Sequence, residues 1–325
     1  MKNTNMKGQD KVTKVITDQI IKQLEAGVIP WKKPWIGAGA AWSRSSGKPY
    51  NFINQMLLML PGEYATFEQI TKEGGKVNKG AKSRIIVEFF RKSFERKDND
   101  GNIIIDEDGN PEIVSYWKKR YCRVFNIEHD TNLTVKHEHG AVKYPGEPIE
   151  IAQALFNHYT GRENIAVRND DLNSAFYSPV GDFINLPGYE QFKNKAEYYS
   201  TAFHEAAHST GHKTRLDRLA KMAAFGSEDY GKEELTAEIT AAAVMSTLGI
   251  DTESTFNNSA AYIDNWTKAI KGGKADIISA AGLADKAYNM IFDGFEFTPD
   301  PSPENPGPGN DKTNKAMDGK QKARS

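Results

Sequence analysis

The sequence predicts an α+β fold in two domains, on three observations. Strand-like stretches at residues 85–90 and 116–126 lie among short helical patterns in the first half, whereas the second half is mostly helical periodicity around one short strand. The 325 residues exceed what one core of usual size serves, so two domains, each with its own core, are expected. Charge divides at the same place. Through residue 145 Lys and Arg outnumber Asp and Glu by 7, and beyond it the acids lead by 8. A basic half joined to an acidic half implies a different partner for each.

Taken in order, residues 1–10 are polar and expected to be disordered. Residues 12–27 read as an amphipathic helix with Val12, Val15, Ile16, Ile20 and Leu24 on one face, ended by Ala26 and Gly27. Pro30 and Pro34 exclude a helix from the next stretch. There Trp31 and Trp35 flank Lys32 and Lys33, which reads either as stacking platforms beside phosphate-binding charges or as tryptophans anchoring a loop in the core. Trp42, Arg44, Lys48, Tyr50 and Asn51 follow, then helices at 53–60 and 67–73. Lys76, Lys79, Lys82 and Arg84 sit in a glycine-rich loop that feeds a strand, an arrangement able to follow a phosphate backbone. The loop lacks the order of a Walker A motif.

Residues 97–111 read as a hairpin insertion, with turn signals at Asp100-Gly101 and Asp108-Gly109. An EF-hand is excluded, because Ile103 stands where that loop requires glycine. Beyond it, Trp117, Lys119 and Arg120 belong to a run alternating aromatic and basic residues, expected to line one positive sheet face. The expected boundaries are a first domain over 11–128, a linker over 129–148, a second domain over 149–297 and a disordered tail over 298–325. His129, His137 and His139 in the linker have no ligand partners at useful spacing. The lone Cys122 suits a reducing compartment and reads as core filler. No stretch is apolar enough to span a membrane, and no secretory signal precedes the first helix.

The second domain opens with a helix over 149–159. A turn at 179–182 then leads to a strand over 183–186, placed to pair with an extended peptide. His204-Glu205-Ala206-Ala207-His208 follows, a complete H-E-x-x-H within a helical stretch that Gly211 is expected to end in a left-handed conformation. Four residues apart on a helix, both imidazoles reach one metal ion, and Glu205 stands beside it to take a proton from water. Zinc in a hydrolytic site takes three protein ligands and leaves one position open. His212 comes too early for the third ligand of a metzincin, and the position where that ligand belongs holds Thr214. Glu234 and Glu238 share one face of the next strong helix, a spacing that resembles the gluzincin arrangement. Glu234 is then the ligand and Glu238 holds a ligand imidazole, with the reverse pairing as the alternative. Glu233 reads as solvated. Tyr177, Tyr230 and His212 are the candidates for stabilising an oxyanion. Helices at 260–271 and 277–291 complete the core.

In these motifs the sequence resembles the ArdC-type antirestriction proteins of plasmids and phages. The resemblance runs through residues 20–27, Pro30, Trp31, Pro34 and Trp35, the G-K-P-Y-N at 47–51, and 74–80 with Ser83. It continues through Tyr177 to Asp182, 198–212, and Arg215 and Arg218, and so covers about 12–295. It implies a first domain that binds single-stranded DNA and a second that is a zincin-like metallopeptidase with one Zn2+ per chain. The implied partners are single-stranded DNA and an unknown protein or peptide, in a bacterial host's cytoplasm and without a membrane. It favours DNA binding by Trp31, Lys32, Lys33, Trp35, Arg44, Lys48, Tyr50, Asn51, Lys76, Lys79, Lys82, Arg84, Trp117, Lys119 and Arg120, and supports His204, His208 and a glutamate of the 234–238 helix as ligands. The readings from other classes are a non-enzymatic DNA-coating protein with a structural or vestigial metal site, and a metal-dependent nuclease.

Overall fold

The computed structural model describes residues 8–32, 39–137, 146–169, 174–219, 228–250, 260–273 and 275–296. Of the ends expected to be disordered, residues 1–7 and 298–325 lie outside them, as do Lys33 and Trp35, whereas residues 8–10 are helical. Helix α1 (Gly8–Glu25) buries Val12, Ile16, Ile20 and Leu24, the stripe its 3.6-residue period places on one side. Gly27, at φ +78°, turns the chain out of it in a conformation that glycine adopts without strain. A one-turn 3-10 helix, Pro30–Lys32, then seats Trp31 wholly inside the protein, edge-on to Trp266 at 6.2 Å. The stacking-platform reading of Trp31 is therefore corrected, because a ring with no exposed surface cannot receive a base. Trp31→Ala is expected to cost about 3–5 kcal/mol of stability. A denaturant midpoint unchanged by that substitution would contradict the burial.

The first half builds a five-stranded sheet of β1 (Ala41–Ser43), β2 (Lys48–Pro49), β3 (Gly62–Thr66), β4 (Arg84–Glu95) and β5 (Ile113–Asn126), in the order β2-β1-β3-β5-β4. Only β1 and β3 run parallel. Asn51 caps α2 (Phe52–Leu58) by accepting from the Asn54 amide, and Met59 in the left-handed region ends it two residues before the expected stop. Thr66 and Gln69 form a reciprocal capping box on α3 (Phe67–Lys72). Strand β4 runs on to Glu95, well past its expected end at residue 90, and β5 begins at Ile113, a little before the expected 116. They pair from Arg84–Val124 out to Glu95–Ile113, and residues 97–111 continue the arm through isolated bridges at Lys97–Ile103 and Ile105–Pro111.

The expected linker is partly built into this half. Asn126 caps α4 (Ile127–Asp130), Asp130 pairs with Arg84 at 2.7 Å, and the amides of Lys136 and His137 donate to the Glu63 carboxylate. The second half contains α5 (Pro148–Arg162), a sheet of β6 (Ala166–Arg168), β7 (Phe176–Ser178) and β8 (Phe183–Asn185), and four helices. These are α6 (Lys195–Ser209), α7 (Glu228–Thr247), α8 (Ala260–Lys271) and α9 (Ile277–Phe292). The sheet order is β6-β8-β7, so the strand expected to meet a peptide, β8, is paired on both sides, and β7 holds the edge.

Besides the small clusters of the first half, around Tyr64 and around Ile70, one core is shared between the halves. One buried cluster joins Ile16, Ile20 and Leu24 of α1 and Phe52 and Met56 of α2 to Leu235 and Ile239 of α7 and Ile277 and Ala281 of α9. A second, around α5, α6, β8 and α9, lies wholly in the C-terminal half. Helix α7 therefore carries residues of both clusters along its length.

Candidate metal centre

Asn194 starts α6 by accepting from the Glu197 amide, and the helix brings His204 and His208 to one face, rings 4.8 Å apart. Their Nε2 atoms face each other at 3.1 Å. Glu234, from the first half of α7, closes the group, with carboxylate oxygens 3.7 Å from each nitrogen. Two bonds of ordinary zinc–nitrogen length at a tetrahedral angle hold their ligand atoms about 3.3 Å apart. Two imidazoles and one carboxylate at this spacing fit a divalent cation with one position left open, and among the described residues no other group of side chains is so arranged.

What holds His208 is not Glu238 but Glu233, and the solvated reading of Glu233 is corrected with it. Glu233 is 4% exposed, and its Oε1 accepts from His208 Nδ1 at 3.0 Å, which orients the ring with Nε2 turned toward the site. Arg218 donates to both oxygens of Glu233, at 2.7 and 2.9 Å. Burial pushes the Glu233 carboxyl up, but the His208 and Arg218 bonds outweigh it and hold it below the usual carboxylate range. Arg218 reaches this position over the end of α6, bonding Thr210 Oγ1 and the Ala207 carbonyl on the way. Gly211 leaves the space: a Cβ there would stand 2.7 Å from Leu219 and 2.8 Å from Arg218. Close approach, and not a left-handed stop, is why residue 211 is glycine, since its φ is not positive.

Glu238 lies one turn beyond Glu234 and is half-buried, with its Oε2 shut off from solvent and lacking a hydrogen-bond partner. Among the described residues no hydrogen bond joins it to either imidazole, and its effect on His204 is through its field. Burial opposes a charge on His204, but the Glu234 bond and the negative fields of Glu238, Glu205 and Glu234 prevail and push it up to about 9. An ion entering at neutral pH must therefore displace one proton. Metal affinity should rise about tenfold per pH unit up to about pH 9, because a raised pKa keeps the proton on below that value. Calorimetry in buffers of different ionisation enthalpy should show close to one proton released per ion. Release of none at pH 7 would contradict the assignment.

Glu205 is 7% exposed and shares with the three ligand candidates a cavity of about 360 Å³, completed by Ala175, Phe176, Tyr177, Pro179, Leu219 and Tyr230. A larger groove of about 580 Å³ runs between α1 and α8, but its wall of Lys14, Asp18, Lys22 and Lys271 holds no set of metal donors, so size does not select the site. Of the three oxyanion candidates Tyr177 and Tyr230 line the cavity, and Tyr230 is hydrogen-bonded to Glu234 there. The Tyr177 hydroxyl is engaged by Asp182 at 2.7 Å and Arg215 at 3.1 Å, and His212 bonds Thr214 outside the cavity wall.

The basic residues scatter more widely. Arg44 is buried, bound to Glu63, Glu73 and the Thr134 carbonyl, so it is corrected from a phosphate contact to a buried ion-pair centre. Arg84 is held by Asp130 over the Tyr64 ring, and Arg120 by Glu88. Lys32 lies 5.9 Å over Tyr262. Asn51 serves α2, and Tyr50 is half-buried, which pushes its hydroxyl up to about 12. Lys48, Lys76, Lys79 and Lys82 are exposed, and so is Trp117, at 70%. Trp117 and Lys119 stand on one face of the arm and Arg120 on the other, so the three do not line a single face.

This fold and site define a zincin-like metallopeptidase domain set behind a domain of antirestriction type. The model of the zincin-like metallopeptidase family matches residues 153–283, and that of the N-terminal domain of anti-restriction factor ArdC matches residues 10–125. The metal-free crystal structure of the antirestriction protein ArdC from plasmid R388 superposes with a TM-score of 0.64 at 32% identity, over 86% of this chain and 96% of that one. Its Mn(II)-bound form superposes at 0.61 and 31%, over 87% and 97%. The chain belongs to the ArdC antirestriction family. It is also 33% identical over 293 residues to the DNA primase TraC of Escherichia coli, covering 85% of this chain but only 26% of that relative's length. No described helix is long and apolar enough to cross a membrane.

Proposed function

We propose that this antirestriction protein holds single-stranded DNA on its N-terminal half and hydrolyses peptide bonds at one Zn2+ per chain in its C-terminal half, within the cytoplasm of a bacterial host. The observation that carries the reading is the convergence of His204, His208 and Glu234 in a cavity that also contains Glu205. A divalent ion held there by His204, His208 and Glu234 would supply Lewis acidity to the carbonyl and to the attacking water. Glu205 takes the proton of the attacking water and passes it to the leaving amine. Glu233, locked by Arg218, fixes the His208 ring. Tyr230 offers its hydroxyl to the oxygen that gains charge as the carbonyl is attacked. The edge of β7 lines the same cavity, and on that side no described strand pairs with it, which leaves it open to an extended peptide.

The test incubates the protein with a mixed peptide library. Cleavage that stops on chelation and returns with Zn2+ is expected. Cleavage indifferent to chelator would contradict the proposal, and degradation of DNA in place of peptide would replace it with a nuclease. For the DNA half, affinity for single strands should fall with salt at a slope of about −0.7 per phosphate contacted. A flat salt titration would exclude phosphate contacts.

A further inference from the structure

The arm formed by β4 and β5 is the largest feature that the metal site leaves unexplained, with Phe89, Phe94, Ile113, Tyr116 and Trp117 all exposed beyond 35%. The register divides its residues between two faces. On one face the side chains answer one another: Arg120 pairs with Glu88 and covers Phe90, Lys118 lies over Tyr116, and Tyr116 meets Phe94 edge-on. The other face is a ladder. Arg91 stands opposite Trp117, Phe89 opposite Lys119, and Val87 opposite Tyr121, with Arg123 one rung further toward the body. Each rung therefore carries an aromatic ring, and the outer two pair that ring with a cation.

Rungs on one face are two residues apart, about 6.8 Å, roughly twice the ~3.4 Å rise of a stacked strand. Bases could occupy successive rungs only on a strand drawn out to about double that rise, which single strands permit and duplexes do not. The two ends of the ladder differ. Val87 belongs to the buried cluster under α1 and α2, so the track runs into the body. Residues 95–112 at the tip carry a net charge of −5, which repels phosphate and closes the track there.

We infer that the face of the arm bearing Trp117, Phe89 and Tyr121 is a stacking track for about three nucleotides of stretched single-stranded DNA, with Arg91, Lys119 and Arg123 beside the phosphates. This rests on the DNA-binding half of the proposed function and assigns it a place and a footprint. Neither the metal site nor the opposite face takes part.

The experiment measures anisotropy of a labelled oligothymidylate with the full chain. Trp117→Ala and Phe89→Ala should each weaken binding by about tenfold or more, as for loss of one stacked base. Trp117→Phe keeps a ring and should restore most of the affinity, which a folding defect would not allow. Tyr116→Ala and Phe94→Ala, equal truncations on the opposite face, should leave binding unchanged. If the wild-type chain binds and Trp117→Ala binds as tightly, the track is overturned while the DNA reading stands. If the wild-type chain binds no oligonucleotide, both fail. Sedimentation gives the third outcome: a dimer that Trp117→Ala dissociates would make this face a contact between two copies and overturn the track.

Discussion

Replacing Glu205 by glutamine is expected to leave one divalent ion bound per chain while lowering peptide cleavage by about 10²–10⁴-fold, the range for removing a positioned proton-transfer group. The substitution is isosteric, and Glu205 is outside the trio of closely spaced donor atoms, so ion retention and fold should persist. What disappears is the one carboxylate in the cavity that does not belong to that trio. DNA affinity should not change, because the exposed cations and the arm are on other elements. Cleavage at the wild-type rate in this variant would remove Glu205 from the mechanism. Loss of the ion together with cleavage would instead make Glu205 a ligand.

Arg218→Met is expected to destabilise the ion-free protein by about 3–5 kcal/mol, because it leaves the buried Glu233 carboxylate with no guanidinium. Both side chains are nearly inaccessible, 7% and 5% exposed, so water cannot replace the lost partner. Metal affinity should fall by about 10–100-fold as well, since Glu233 orients the His208 ring. The double variant Arg218→Met with Glu233→Leu separates these effects. It removes the stranded charge and should regain most of the stability while binding metal no better. Urea midpoints and metal titrations on the three proteins decide it. A double variant as unstable as the single one would show that Arg218 acts through its bonds to Ala207 and Thr210.

The two histidines and Glu205 were legible because a helix makes four-residue spacing a spatial fact, and the expected α+β class holds for the same local reasons. Glu233 carried no such signal. It sits next to Glu234, and adjacent helical residues point some 100° apart, so only the placement of Arg218 across the α6 end shows that it faces inward. Glu238 had the right spacing from Glu234 but faces Tyr262 on α8 and the charge of Lys32, a residue some 200 positions earlier in the chain. The shared core escaped notice for that reason too: packing of α1 against α8 and α9 leaves no mark in local periodicity. Trp31 and Arg44 looked like nucleic-acid contacts because aromatic and basic composition is the same for a buried anchor and for an exposed platform. The length of β4 was hidden because both faces of the arm are wet, which removes the alternation that marks a strand.

Metal analysis of the purified chain at neutral pH, beside His208→Ala and Glu234→Ala, bears most directly on the convergence of two α6 imidazoles with an α7 carboxylate. One divalent ion per wild-type chain and little in either variant is the expected result. A wild-type chain that takes up no divalent ion from a metal-supplemented buffer, or variants that retain it in full, would contradict the site and the hydrolase with it.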